Sequence, residues 1–381
     1  MSFDTPQLIS YYPKYEYLDE ILSISGAKKL NIFVDLKGCI QSLYQEWAVK
    51  YIIDQSRGTK YVDDSLFGAT LEYIRFHKEY ARKRGIDINL VFFYEHGVSV
   101  YHQQIYKGYK GNRDQTLTFL SLDDKEIFYN TLNKNYEMIE KICARAPNVS
   151  VVKLEFMEAD FIPFYLRKHV YGEFEENEVD VIYSIDKDML QCIDNKNTFI
   201  FYRHYKSHKI LNHETAFAHW FKKDWNFPNI GLEWFTMFLA IDGDVSDDFK
   251  GVKGISKGTI LKHADDIVQM SGGDMKQVYE NIKDCKDIFI KDFGTNKKSL
   301  MKIRNAQDIV IRNLKLASYS LISDYLNGGF PSTLIEKKKN LLENVRHKVK
   351  IKNGAVVLAA LKRAGIVCNV AEQTVYDVFR E

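Results

Sequence analysis

The carboxylates of this 381-residue sequence fall in a pattern that points to metal chemistry. Asp242, Asp244, Asp247 and Asp248 crowd into the first half of the stretch from Ala240 to Thr259. Like charges at contact distance repel by about 4 kcal/mol at an effective dielectric near 20, so such a cluster either splays into water or takes up a multivalent cation. Further acids stand at or just after the ends of four apolar runs: Asp35, Glu95, the pair Glu158 and Asp160, and the pair Asp186 and Asp188. A single acid there would be a helix cap; acids at four successive strand ends argue for metal ligation. Oxygen donors without His or Cys suit Mg²⁺ or Mn²⁺ rather than zinc. Two such ions, roughly 4 Å apart, activate a water and stabilise the leaving oxygen in phosphodiester hydrolysis. The expected ligands, direct or through water, are Asp35, Glu95, Glu158, Asp160, Asp186, Asp188, Asp244 and Asp247, with no side chain acting as the sole general base.

Two stretches are suited to phosphate. In Gly251-Val-Lys-Gly-Ile-Ser-Lys-Gly258, glycines at intervals of three and four allow backbone N–H groups to approach a phosphate closely, and Ser256 is placed to cap the helix that follows. In Ile105-Tyr-Lys-Gly-Tyr-Lys-Gly-Asn-Arg-Asp114, a helical conformation would put Lys107, Lys110 and Arg113 on one face. Gly108 and Gly111 each cost that helix about 1 kcal/mol relative to Ala. The expectation is a segment that stiffens when phosphates neutralise its cations.

The elements that must position these groups follow from hydrophobic period. The runs 30–35, 89–95, 150–154 and 180–186 read as buried parallel strands, and 198–202 with 209–211 as a hairpin. Helical spacing appears at 18–25, 40–53, 69–84, 214–223, 232–241 and, as one long amphipathic helix, 306–326. The repeated order strand, acid, helix predicts an α/β fold with a parallel sheet and its site at the carboxyl ends of the strands.

Composition sets the outer bounds. Hydrophobic residues make up 45% and charged residues 27%, ordinary for a soluble globular protein of two domains; the 14% of aromatics suggests an aromatic core. Five widely spaced cysteines with no CxxC pair speak against a disulfide framework and structural zinc, and fit a reducing cytosol. No apolar run is long enough to span a bilayer and the N-terminus does not read as a signal peptide, so a cytoplasmic protein with no membrane partner is expected. The net charge of +2 divides unevenly: residues 291–381 carry +9 and residues 1–290 carry −7. Carboxylates at the centre with cations outside suit a nuclease that grips phosphates.

Taken together, Phe33-Val-Asp35, Tyr109-Lys-Gly-Asn-Arg-Asp114, Glu158-Ala-Asp160, Ser184-Ile-Asp-Lys-Asp188, and Gly243-Asp-Val-Ser-Asp247 followed by Gly251-Val-Lys-Gly-Ile255 resemble, in order and spacing, the 5′-nuclease or flap endonuclease superfamily. The style is that of bacteriophage 5′→3′ exonucleases and phage RNase H. The resemblance runs from about residue 31 to 317. It implies a PIN-like, mostly parallel central sheet flanked by helices, a helical arch over two divalent-metal sites, and a C-terminal helix–hairpin–helix domain that binds duplex backbone, often with K⁺. The corresponding division is an N-terminal extension (1–29), a nuclease domain (30–211) with its arch at about 96–149, a helix–hairpin–helix domain (212–330) and a basic helical tail (331–381). By position, Lys110 and Arg113 resemble the arch-base cations that contact the scissile phosphate, and Tyr109 a residue that stacks on a nucleotide beside Lys107. Gly251, Lys253, Gly254, Ser256, Lys257 and Gly258 would grip the duplex. Implied partners are flapped, nicked or branched DNA and RNA/DNA hybrids, together with replication proteins, for a monomer that works in the host cytoplasm if phage-encoded. Three departures stand out: Glu95 where many relatives have Asp, Phe161 where microbial relatives often have a further Asp, and Asp248 and Ser256 where Asn and Gly are common.

Overall fold

The structure is a computed structural model that describes residues 15–41, 65–96, 99–110, 121–155, 157–193, 196–204, 207–290, 297–328, 350–364 and 371–380. Six strands form one sheet: β1 (Lys29–Asp35), β2 (Asp87–His96), β3 (Val149–Glu155), β4 (Glu178–Ser184), β5 (Thr198–His204) and β6 (Ser207–Leu211), in the order β3-β2-β1-β4-β5-β6. The pairs from β3 to β5 are parallel, and β6 returns antiparallel to β5, as the hairpin reading predicts. Strand order reverses between β1 and β4, so a crevice opens at their carboxyl ends, where Asp35, Glu95 and Asp186 stand.

Alternation along the strands splits the core into two layers. Phe33, Val91, Phe93, Val152, Ile182 and Ile200 face one side, where they pack with the helical second half of the chain. Ile32, Val34, Leu90, Phe92, Val151, Val181 and Phe201 face the other, against α1 (Tyr15–Ser25), α2 (Ser65–Arg84) and the helix Leu122–Lys141. The helix Tyr15–Ser25, expected within an extension, buries Tyr17, Leu18 and Ile21 in that second layer, and the C-terminal helices Gly354–Arg363 and Glu372–Val378 add Val357, Leu361, Val375 and Phe379 to it.

Two readings are corrected. The single helix over 306–326 is two, Gln307–Ala317 and Tyr319–Gly328, separated by Ser318. Ser318 is extended (φ −80°, ψ 115°); its N–H closes the first helix on Leu314 and its hydroxyl accepts from the Leu321 N–H to start the second. The shared helical face of Lys107 and Lys110 does not form: the helix Val100–Ile105 stops before them, and Lys110 has φ +53°. Arg113, the remainder of the arch segment to residue 120, and the predicted helix over 40–53 beyond Gln41 lie outside the described residues.

Candidate metal and phosphate site

Each acidic group is set by a short backbone device at a strand end. Asp35 closes β1, and the π-helical turn Leu36–Gln41 that follows brings the Gly38 N–H to Asp35 Oδ1 at 2.8 Å. A Cβ at Gly38 would lie 2.2 Å from Asp35 Oδ2, so a side chain there would have to displace the Asp35 carboxylate from this position. Asp186 caps the 3₁₀ turn Lys187–Cys192 by accepting the Asp188 N–H at 2.9 Å, which fixes the second carboxylate of the pair. Asp244 accepts both the N–H and the hydroxyl of Ser246, at 2.9 and 2.5 Å. Asp247 accepts the Tyr109 hydroxyl at 2.9 Å, and its carbonyl accepts the Lys110 N–H at 3.2 Å.

The result is a cleft of about 370 Å³ whose lining includes Asp35, Glu95, Glu158, Asp160 and Asp186, together with Lys37, Lys110 and Lys187. Beside it, one oxygen each from Asp188, Asp244 and Asp247 lie within 4.8 Å of one another. All eight predicted ligands therefore converge on the carboxyl end of the sheet. Three lysines divide them. Lys37 Nζ meets Glu95 Oε1 at 2.5 Å; Lys110 pairs with Glu158 and lies 3.5 Å from Asp247; Lys187 pairs with Asp244 and lies 4.0 Å from Asp188. Lys37 and Lys187 were not singled out in the sequence, although each sits within two residues of an acid that was.

Proton affinities record the crowding. Burial, with Glu95 and Asp186 nearby, pushes Asp35 up to about 7 despite the Gly38 N–H. Burial and neighbouring carboxylates raise Asp160 and Asp188 well above the ordinary range, and burial raises Glu158 and Asp186. Burial also acts to raise Glu95 and Asp244, but Lys37 and Lys187 respectively hold them below the usual value. Asp188 Oδ1 is buried without a hydrogen-bond partner. An orphaned buried acceptor among raised carboxylates is a donor set short of positive charge, and a hard divalent cation fits it.

Tyr109 is corrected. Its ring is buried, 6% exposed, and stacks on His102 at 4.4 Å, so in this conformation it offers no face to a nucleotide. It positions Asp247 through its hydroxyl. Lys107 is exposed. Phe161 is buried against Tyr165 and occupies core rather than the cleft.

The glycine-rich turn lies between the helices Phe235–Asp242 and Lys257–Lys262. Gly251 packs against the end of the first helix, where a Cβ would meet the Asp242 carbonyl oxygen at 2.1 Å. Lys253, Gly254, Ser256 and Gly258 are exposed, and Ser256 caps the second helix as predicted, with its hydroxyl accepting the Thr259 N–H. Lys257 lies over the Trp220 ring at 4.3 Å. Asp248 sits at φ +59°, a conformation that Asn and Asp tolerate better than other side chains, which accounts for the exchange at this position.

No protein-family profile matches the sequence, and no curated protein does. Solved structures do match in shape. A bacteriophage T5 5′-exonuclease-type protein co-crystallised with metal ions superposes with a TM-score of 0.56 at 16% identity, over 83% of this chain and all of that one. The bacteriophage T5 flap endonuclease in a complex with DNA and metal ions gives 0.54 at 16% identity, over 84% and 100%. T5 5′-exonuclease with bound zinc gives 0.52 at 16% identity, over 83% and 100%. The fold is that of the phage 5′-nucleases. It is the PIN-like, mostly parallel sheet flanked by helices, with a helical C-terminal region. Among the described residues no helix is long and apolar enough to cross a membrane.

Proposed function

We propose that the protein is a divalent-metal-dependent 5′-nuclease that hydrolyses phosphodiester bonds in flapped, nicked or RNA-primed DNA during replication or repair. The observation that carries this reading is the meeting of eight carboxylates at the sheet's carboxyl end, with a buried acceptor on Asp188 that has no hydrogen-bond partner. Likeness in fold to T5 structures that contain DNA and metal ions supports it.

In this reading Asp35, Glu95, Glu158, Asp160 and Asp186 hold one Mg²⁺ or Mn²⁺, and Asp188, Asp244 and Asp247 hold a second, directly or through water. Bound there, the ions supply a nucleophilic water near neutral pH and charge for the leaving oxygen. The chain's own residues do the rest. Lys110, with Arg113, binds the scissile phosphate, and Tyr109 fixes Asp247 so that its carboxylate does not follow the lysine. Lys253 and the turn from Gly251 to Gly258 hold the duplex by its backbone, which favours DNA structure over sequence. A K⁺ ion at that turn belongs to the same reading, and dependence of duplex affinity on K⁺ over Na⁺ tests it.

Asp244→Ala is the decisive variant, because Asp244 is tied to Lys187 and Ser246 rather than to the hydrophobic core. It is expected to abolish cleavage of a flap duplex in Mg²⁺ while leaving duplex affinity within about threefold. Wild-type turnover in this variant would remove the metal assignment. Binding without cleavage by the wild-type protein would favour a catalytically weak DNA-binding accessory.

A further inference from the structure

We propose that Lys37 is a substrate-binding residue: it rests on Glu95 in the free protein and transfers to a non-bridging phosphate oxygen of the bound strand. The inference rests on the nuclease reading and adds a residue to its site.

Three lysines face the acids, and they are not equally tied. Lys110 has a side chain 9% exposed, shared between Glu158 and Asp247 and lying over the Tyr109 ring at 5.1 Å. Lys187 is 30% exposed and joins Asp244, with Ser246 Oγ at 3.5 Å and Asp188 at 4.0 Å. Lys37 is 45% exposed, and its ion pair among the described residues is with Glu95, whose own side chain is 14% exposed. The cation thus lies on the solvent side of the carboxylate, in the lining of the cleft. An ammonium has three donors, and Glu95 takes one. With Lys37 this exposed, water replaces much of what Glu95 supplies to it, so exchanging Glu95 for a phosphate oxygen costs little.

Charge balance gives the direction. Eight carboxylates against three lysines leave an excess of five negative charges, which two divalent ions reduce to about one. With the ions bound, releasing Lys37 leaves an excess of about two negative charges rather than the six it would leave without them, so the acids hold it less strongly and an incoming phosphate can take it. Backbone geometry keeps the lysine in place for this exchange, because the Gly38 clamp on Asp35 holds the turn that carries it. Glu95 completes the arrangement, since the longer side chain at this position is the one that meets Lys37 at 2.5 Å.

The test measures anisotropy of a labelled 5′-flap duplex in EDTA between 50 and 200 mM KCl. Wild-type protein, Lys37→Gln, Lys37→Arg, Glu95→Gln and the Lys37→Gln/Glu95→Gln double variant are compared, each shown by circular dichroism to be folded. Glu95→Gln releases Lys37 without metal, so it should bind more tightly than wild type. Against that background, Lys37→Gln should lower affinity several-fold and reduce the slope of log K against log salt by about 0.9, the loss of one phosphate contact. Lys37→Arg should retain the slope. If Lys37 only neutralises Glu95, Lys37→Gln will change neither affinity nor slope once Glu95 is Gln, and the proposal fails while the nuclease reading stands. A wild-type protein that does not bind the duplex at any salt concentration overturns that reading and this inference together.

Discussion

Asp35, Asp160 and Asp188 are held in the fold at a cost. Their folded-state proton affinities lie above those of exposed carboxylates, Asp35 at about 7 and the other two well above their usual value. A folded state that binds more protons than the unfolded chain loses stability as pH rises. The buried histidines act oppositely: burial lowers His77 to about 4 and His102 to about 3, so below their ordinary value near 6.5 they favour higher pH. At pH 6.5 the two histidines are about half protonated in the unfolded chain and offset part of the carboxylate effect, whereas by pH 7.5 they are nearly neutral in both states; three raised carboxylates against two histidines leave the carboxylates dominant. The metal-free protein in EDTA should therefore melt at a lower temperature at pH 7.5 than at pH 6.5. Asp160→Asn should flatten that fall, and Mn²⁺ should raise the melting temperature more at pH 7.5. A metal-free melting temperature that climbs over this window would contradict the assigned strain. The acids themselves were legible in the sequence because each ends an apolar run. Their lysine partners were not, since a Lys beside an Asp reads as a solvated surface pair until the fold shows both lining one cleft.

At the scale of elements, the strands position the site from their carboxyl ends, and a second polar cluster secures their amino ends. Asn31 on β1 donates to Glu178 and Asp180 on β4, and Arg167 joins the same two carboxylates, with Nε on Asp180 at 2.7 Å. Glu178 and Asp180 are 4% and 3% exposed. Arg167→Met would leave buried Asp180 without its cation and Glu178 with only Lys29, at 3.4 Å, and breaking such a buried pair typically costs about 3–5 kcal/mol. Urea denaturation should show that loss, and a change below about 1 kcal/mol would mean that Asn31 and Lys29 suffice. Strand positions were readable from period and composition because both faces of this sheet are buried. The break at Ser318 was not, because no Gly or Pro marks it. Tyr109 was misplaced for a related reason: its burial depends on His102, whose Nε2 is held to the Leu316 backbone carbonyl at 2.9 Å, a contact more than two hundred residues away.

Across the whole molecule, one sheet carries a layer on each face, and both termini contribute to the same one: Leu18 and Ile21 near the start of the chain and Val375 and Phe379 near its end share a core with β1, β2 and β4. Order of elements, the parallel sheet and the edge hairpin were legible because they rest on local patterning and on the strand–acid–helix repeat. The docking of the C-terminal helices was not, since it rests on long-range contacts such as Thr374 Oγ1 to Glu72 at 2.5 Å and Lys78 Nζ to the Val378 carbonyl at 2.8 Å. In the proposed function this scaffold presents a two-metal phosphodiesterase centre to 5′ ends of branched DNA. Its most direct test is incubation of a 5′-labelled flap duplex with the wild-type protein in Mg²⁺ or Mn²⁺, beside an EDTA control, with product lengths read on a sequencing gel. The account predicts metal-dependent cuts near the single-strand/duplex junction and none in EDTA. Cleavage that persists in EDTA, or an intact flap in both metals, would contradict it.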